Sequence, residues 1–217
     1  MKKKIFVILI IVCLIIIGLE VYILYELNVI PHKKYDNSDF DIETYISSVD
    51  KDNDGVDDQT DILNNVREYI ATEPKYKSKY YAGGYPDDEY GVCTDVVANG
   101  LFGSGYDLMK LVNTHIENNR DMYNIDEVDK NIDFRRVQNL KVYFKSTAIS
   151  LTTDVSNIEE WQGGDIVIFD KHIGIVSDKR NKNGVPFLIH HANPYQLYYE
   201  EDVLEDRNDI VGHYRIS

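Results

Sequence analysis

The sequence is poor in cysteine and in positive charge, and each shortage excludes a class of protein. Two cysteines occur among 217 residues, and one of them, Cys13, lies in a hydrophobic N-terminal run. Cys93 therefore stands alone in the rest of the chain and cannot form an internal disulfide, which removes the stapled secreted scaffolds. Lys and Arg total 23 against 37 Asp and Glu, a formal charge of -14. A nucleic-acid partner needs a basic footprint, and an anionic membrane surface would repel the main domain. The acidity itself reads as solubility. Internal repeats and low-complexity tracts are also missing, so repeat arrays and long disordered tracts drop out. What remains is a chain long enough to bury a sizeable core, with 17 tyrosines to help build it.

The N-terminus reads MKKKIFVILIIVCLIIIGLEVYILYELN. Lys2, Lys3 and Lys4 precede apolar residues from Ile5 to Leu19, and Val21 to Tyr25 resume the run after Glu20. About 20 apolar residues span a bilayer. The positive-inside rule then keeps the lysines in the cytoplasm and sends the remaining chain to the extracellular side, as a single-pass membrane protein. A cleaved signal peptide is the alternative. Against it, the run exceeds a normal signal core and no small-x-small cleavage site follows. Val12 stands where a lipoprotein cysteine needs a small residue, so Cys13 reads as a membrane-buried hydrophobe. The expected organisation is a transmembrane anchor over 1–25, a linker over 26–40, an EF-hand-like calcium-loop segment over 41–72 and the main domain over 73–217.

Ile42, Tyr45, Ile46 and Val49 have helical spacing, and so do Ile62, Leu63, Val66, Tyr69 and Ile70. Pro74 ends this unit. CTDVVANGLF reads as a short helix, and YDLMKLVNTHIENN as a better one capped by Asp107. FRRVQNLKVYFKS reads as a third. DIVIFD, HIGIVSD and PFLIHHA then read as strands, with Asn181 to Gly184 as a hairpin turn. Helices followed by an antiparallel sheet make an α+β domain.

Between the first two helical patterns lies DKDNDGVDDQTD. Asp50, Asp52, Asp54, Val56, Asp58 and Asp61 fall at positions 1, 3, 5, 7, 9 and 12 of a calcium loop, with Gly55 at position 6. Calcium takes hard oxygen ligands at this alternation, and Val56 would ligate through its carbonyl. Asp at position 12 reaches less far than the usual Glu. The competing reading is an acidic capping loop, with Thr60 or Asp61 starting the next helix.

An unpaired exported thiol is an inert buried group, half of an intermolecular bridge, or a nucleophile. Gly91 and Val92 put Cys93 at a helix N-terminus, where free N–H groups and the dipole favour a thiolate and could hold an oxyanion. A thiol nucleophile also needs a base oriented by a third polar group. His172 opens a strand, and His190 and His191 end the next one. If those strands form a hairpin, His172 and His190 lie side by side and supply a base and an orienter. A metal site from His172, His190 and His191 is disfavoured, because no carboxylate motif accompanies them at ligand spacing.

YYAGG, GVCTDVV, WQGGDIVIFD, HIGIVSD and FLIHHA run in the order of the NlpC-type papain-like cysteine peptidases of bacterial cell walls. More closely, YYAGGYPDDEYGVCTDVV, NIDFRRVQNL, GDIVIFDKHIGIVSD and the terminal GHYRI resemble the bacterial family called domain of unknown function 1287. The resemblance covers about Ile62 to Ser217. It implies a papain-like fold with the cysteine helix packed on an antiparallel sheet. It implies Cys93 as nucleophile, His172 as base, His190 as the third polar residue and Tyr80 as a substrate-cleft residue, with Tyr81 as its alternative. Thr94-Asp95 departs from the usual Ser-Gly of the peptidases, and the segment holding NIDFRR is longer. Asp95, Arg135 and Arg136 are therefore expected to shape a different substrate pocket, unless the arginines merely pair with surface carboxylates. The expected function is a membrane-anchored thiol hydrolase, a peptidase or amidase, acting on cell-wall peptide or another extracellular amide, with structural calcium and no catalytic cofactor. A calcium-stabilised binding module without turnover and a thiol acyltransferase are the alternatives.

Overall fold

Long-range order in this chain starts after the N-terminal helix. The computed structural model describes Lys2–Ser217, in two compact units that divide between Lys33 and Lys34. The first unit is dominated by α1 (Lys2–Glu26), a 25-residue helix with apolar residues on every side. At about 1.5 Å per residue it is long and apolar enough to cross a membrane, and a signal sequence near an N-terminus has the same properties.

The second unit is mixed α and β. Its helices are α2 (Asp58–Ala71), α3 (Cys93–Gly103), α4 (Leu108–Asn118), the short α5 (Lys130–Asp133) and α6 (Val137–Thr147). Two short strands, β1 (Lys75–Tyr76) and β2 (Tyr90–Gly91), pair in parallel. The main sheet is antiparallel throughout. It contains β3 (Ile149–Ser150), β4 (Ile166–Phe169), β5 (Ile173–Arg180), β6 (Pro186–Ile189), β7 (Glu200–Glu201) and β8 (Ile210–Arg215), in the order β3-β8-β4-β5-β6-β7.

Strand β4 reads IVIF without polar alternation because both of its faces are covered. Ile166 and Ile168 join Ile173, Ile175 and Ile189 under α2, α3, α4 and α6, where Ile62, Val66, Val96, Leu101, Val112 and Phe144 are fully or almost fully buried. Val167 and Phe169 point to the opposite side, into a smaller core with Trp161, Val176, Leu188 and Leu204. Each such side chain contributes about 1.5–3 kcal/mol on burial. Helix α2 packs mainly on α3, so residues 41–72 belong to the same unit as the rest of the domain.

The helices expected from CTDVVANGLF and YDLMKLVNTHIENN form as read, and Asp107 caps α4 by accepting from the Lys110 N–H at 3.2 Å. The third begins at Val137, later than the pattern suggests. Two expectations are corrected. Ile42 to Val49 form no helix. Ile46 is 69 % exposed while Ile42 is buried, so their spacing marks no common face. Helix α2 starts at Asp58, ahead of Thr60 or Asp61, because Asp57 accepts from the Gln59 and Thr60 N–H groups.

Candidate functional site

Cys93 is the first residue of α3, and two glycines let the chain close around it. A Cβ on Gly91 would collide with the Tyr69 hydroxyl. Gly174 lets β5 and β6 come together, since a Cβ there would sit 2.9 Å from the Ile189 carbonyl. That approach places His172, just before β5, beside His190, just after β6. Their rings meet through His172 Nε2 and His190 Nδ1 at 2.8 Å. The backbone N–H groups of Ile173 and Thr94 act on the Cys93 thiol, while the His172 ring lies against Phe169 and His190, and among the described residues the thiol makes no hydrogen bond to either histidine.

The electrostatics reverse one expectation. Burial pushes the Cys93 thiol up to about 11, and Asp95 adds to it, against the opposing N–H groups of Ile173 and Thr94. The helix N-terminus therefore loses to desolvation, and the resting thiol is neutral. Burial lowers His172 to about 3, helped by His190 and Arg207. It lowers His190 to about 3 as well, helped by Arg207 and His191. Both rings rest neutral. The hydroxyls of Thr94 and Tyr69 and Nδ1 of His191 are buried without a partner among the described residues.

A fourth residue joins this row. His190 Nε2 meets Glu201 Oε2 at 3.0 Å, and burial pushes the Glu201 carboxyl up to about 7. The sequence signal was faint: Glu200-Glu201 is a two-residue strand whose side chains face opposite ways. Glu200 turns to Lys34, Arg67 and Ser177, and Glu201 turns to His190.

Asp95 is fully buried. Its oxygens take Arg135 Nε at 2.6 Å, Arg135 Nη2 at 2.9 Å and the Val92 N–H at 2.9 Å. Arg135 also donates to the Lys79 carbonyl at 2.6 Å and lies over the Tyr81 ring. This is a structural ion pair that ties the loop before Cys93 to the segment before α6, and it leaves Asp95 no free oxygen for a substrate. Arg135 is thus buried, not a surface partner. Arg136 is different: half exposed and 3.8 Å from Asp133, it borders an open groove of about 520 Å³ with Asp129, Lys130 and Asn131. Tyr80 is exposed, and its hydroxyl accepts from Asn131 at 3.2 Å, which brings it to the same groove. Tyr81 is buried and donates to Asp88 at 2.7 Å.

In the acidic loop, carboxylate oxygens of Asp50, Asp52 and Asp54 lie within 4.8 Å of one another. They fold the loop by accepting from the N–H groups of Asp54, Gly55 and Val56. Asp58 is turned away, with its oxygens on the Lys51 N–H and the Tyr106 hydroxyl. Asp61 is buried and accepts from Asn65 at 2.9 Å. Burial, with the charges of Asp54 and Asp52 behind it, holds the Asp61 carboxyl above its usual range.

Fold and site together define an α+β protein with a cysteine-headed helix packed on an antiparallel sheet and a pair of hydrogen-bonded histidines at the ends of two neighbouring strands. The chain belongs to the family described as domain of unknown function DUF1287, whose model matches residues 63–216. It is similar to the uncharacterized protein YijF of Escherichia coli (strain K12), with 38 % identity over 167 residues, covering 71 % of this chain and 80 % of that protein. No solved structure matches it.

Proposed function

We propose that the chain is a thiol hydrolase of papain-like, NlpC-type architecture that cleaves an amide bond, with Cys93 as nucleophile. The observation that carries the reading is the 2.8 Å bond between His172 Nε2 and His190 Nδ1, beside a thiol at a helix N-terminus. His190 occupies one nitrogen of His172 and leaves Nδ1 as the base. The neutral thiol and neutral rings fit general-base attack, in which the proton moves as the bond forms, and not a preformed ion pair. The Cys93 sulfur bonds to the substrate carbonyl carbon while its proton passes to His172 Nδ1. The N–H groups at the start of α3 face the developing oxyanion. His172 returns the proton to the leaving amine as the C–N bond breaks, and water then hydrolyses the thioester.

Cell-wall peptide is the proposed substrate, since an uncleaved α1 with its lysines in the cytoplasm would put the domain outside the cell. The groove bordered by Tyr80, Asn131 and Arg136 is the proposed recognition surface. Calcium is the proposed structural ion, held by Asp50, Asp52, Asp54, Asp61 and the Val56 carbonyl. Support comes from the loop alternation and from the carboxylate oxygens of Asp50, Asp52 and Asp54, which lie within 4.8 Å of one another.

One observation favours a second reading, a surface binding module without turnover: the thiol is buried and neutral at rest. Mass spectrometry of cell-wall fragments incubated with the full-length protein in detergent separates the two. Hydrolase activity gives new amine and carboxylate ends that Cys93→Ala abolishes. Acyl transfer gives a new amide instead. Fragments unchanged, or changed equally by Cys93→Ala, overturn the hydrolase.

A further inference from the structure

We propose that Glu201 is a positioning residue that fixes the tautomers of His190 and His172, and that its protonation turns His172 Nδ1 from a proton acceptor into a donor. The consequence for catalysis rests on the hydrolase reading above; the geometry does not.

Three groups stand in a row, and each can hold only a fixed number of protons. A neutral imidazole has one N–H and one lone-pair nitrogen, and an ionised carboxylate only accepts. The contacts are Glu201 Oε2 to His190 Nε2 at 3.0 Å and His190 Nδ1 to His172 Nε2 at 2.8 Å. With Glu201 ionised, His190 must carry its proton on Nε2. Its Nδ1 is then an acceptor, so His172 must carry its proton on Nε2. That leaves the lone pair on His172 Nδ1, the nitrogen to which the hydrolase reading assigns the Cys93 proton. With Glu201 protonated, its O–H donates to His190 Nε2 and every step reverses. His190 then carries its proton on Nδ1 and donates to His172 Nε2, and the His172 proton sits on Nδ1. The base is switched off, one proton has been taken up at the carboxyl, and neither ring has become charged.

The surroundings let the carboxyl titrate before the rings do. Burial pushes Glu201 up to about 7, while both imidazoles stay neutral to about 3. No cation contacts Glu201 among the described residues. Gln196 lies beside it in the preceding loop, with its amide nitrogen donating to the His190 and Tyr198 carbonyls, and His190 faces it from β6. Arg207, whose charge acts on both histidines, is held by Asp209 at 2.6 Å and lies over the Phe169 ring. His191 faces away, between Tyr76 and Tyr199. Lys34 and Arg67 are taken by Glu200 on the other side of β7. A sensing residue could not be tied to an arginine, and this one is not.

The test reads tautomers directly, by nitrogen NMR of the full-length protein labelled at histidine nitrogens, in detergent at pH 8.5 and pH 5.5. The expected result is a swap of the protonated nitrogen in both His172 and His190 between the two pH values. In Glu201→Gln the amide oxygen can still accept from His190 but has nothing to titrate, so the high-pH tautomers should persist at pH 5.5. Unswapped rings in the wild type, doubly protonated rings at pH 5.5, or the same swap in Glu201→Gln overturn the proposal. If the variant does not fold, the wild-type comparison alone decides. A swap seen in a protein that never cleaves a cell-wall fragment sinks the hydrolase and leaves the tautomer control standing. Cleavage without a swap does the reverse.

Discussion

His213 Nε2 meets Asp165 Oδ2 at 3.0 Å on the β4–β8 side of the sheet, and His190 Nε2 meets Glu201 Oε2 at 3.0 Å on the β6–β7 side. The two pairs share a distance and little else. Asp165 is fully buried, takes four donors, Gln59 Nε2, the Gln162 N–H, and Arg215 Nε and Nη2, and meets His213 Nε2 as well. His213 is held at its other nitrogen by the Thr152 carbonyl at 2.7 Å and stacks on Trp161 at 3.8 Å. Glu201 has His190, Gln196 and no arginine. Saturation makes a carboxylate part of the frame. Partial satisfaction leaves a carboxylate that can take a proton and pass the change on.

The sharpest way to break this comparison is to remove each carboxylate in turn. Asp165→Ala strands Arg215 without a counter-charge, and breaking a buried pair costs about 3–5 kcal/mol. At about 2–4 °C per kcal/mol, melting should fall by roughly 6–20 °C. Glu201→Gln at pH 8 should change melting far less. The pH sign is fixed by the direction of the shift. The Glu201 carboxyl titrates higher folded, at about 7, than its ordinary value of 4.5. The folded state therefore holds the proton more tightly, and this group's contribution is fully present below about pH 4.5 and lost as pH rises through 7. The two buried histidines act oppositely, since their pKa values fall on folding from 6.5 to about 3. Their contribution is present above pH 6.5 and lost on acidification. Equal destabilisation by the two carboxylate variants at pH 8 would erase the distinction.

How legible was this from the chain alone? The capped helix after Asp107, the start of α3 at Cys93, and the pairing of His172 with His190 across the Asn181–Gly184 turn were legible. Each depends on signals a few residues apart. Asp165 and Glu201 were not. Their roles come from sheet register, which sets Val167 opposite His213 and Leu188 opposite Glu201. The same reason explains the missed segment at Ile42 to Val49. Its backbone goes to distant partners, with the Tyr45 N–H on Gln162 at 3.2 Å and the Ser47 N–H on Asp57 at 2.8 Å, and these contacts displace a helix. Asp95 misled for another reason. A carboxylate two positions after Cys93 gives no local sign of its partner, Arg135, 40 residues later.

The reactive half of the comparison can be sharpened by following Cys93 alkylation with pH in a Cys13→Ser background. A thiol held near 11 should react with iodoacetamide at pH 7.4 roughly two orders of magnitude more slowly than a free thiol near 8.5. Its rate should keep rising to about pH 11, where the urea-unfolded chain has already levelled off. Fast alkylation persisting down to pH 6, lost in His172→Ala, would mean a resting ion pair. The neutral-site description, and with it the general-base order of events, would then be wrong.

The acidic loop should give the smallest effect, because it lies on the surface and already folds itself through its own N–H groups. Asp50, Asp52 and Asp54 are exposed, and the backbone groups of Asp54, Gly55 and Val56 satisfy part of their charge. What calcium would add is neutralisation of three clustered carboxylates and of the crowding that raises Asp61. Asp58 is committed to Lys51 and Tyr106, so the loop can offer fewer protein ligands than a full EF-hand, and weak binding follows. Extracellular modules of this type bind at about 0.1–1 mM. At ten times the dissociation constant, linkage gives about 1.4 kcal/mol, which is roughly 3–6 °C in melting temperature for a domain of this size. Calcium at 5 mM should produce that rise, magnesium should produce less because it resists dehydration, and Asp52→Ala/Asp54→Ala should abolish it. A calcium response unchanged in that double variant would place the ion elsewhere, and no response at 5 mM would make the aspartates a capping loop for α2.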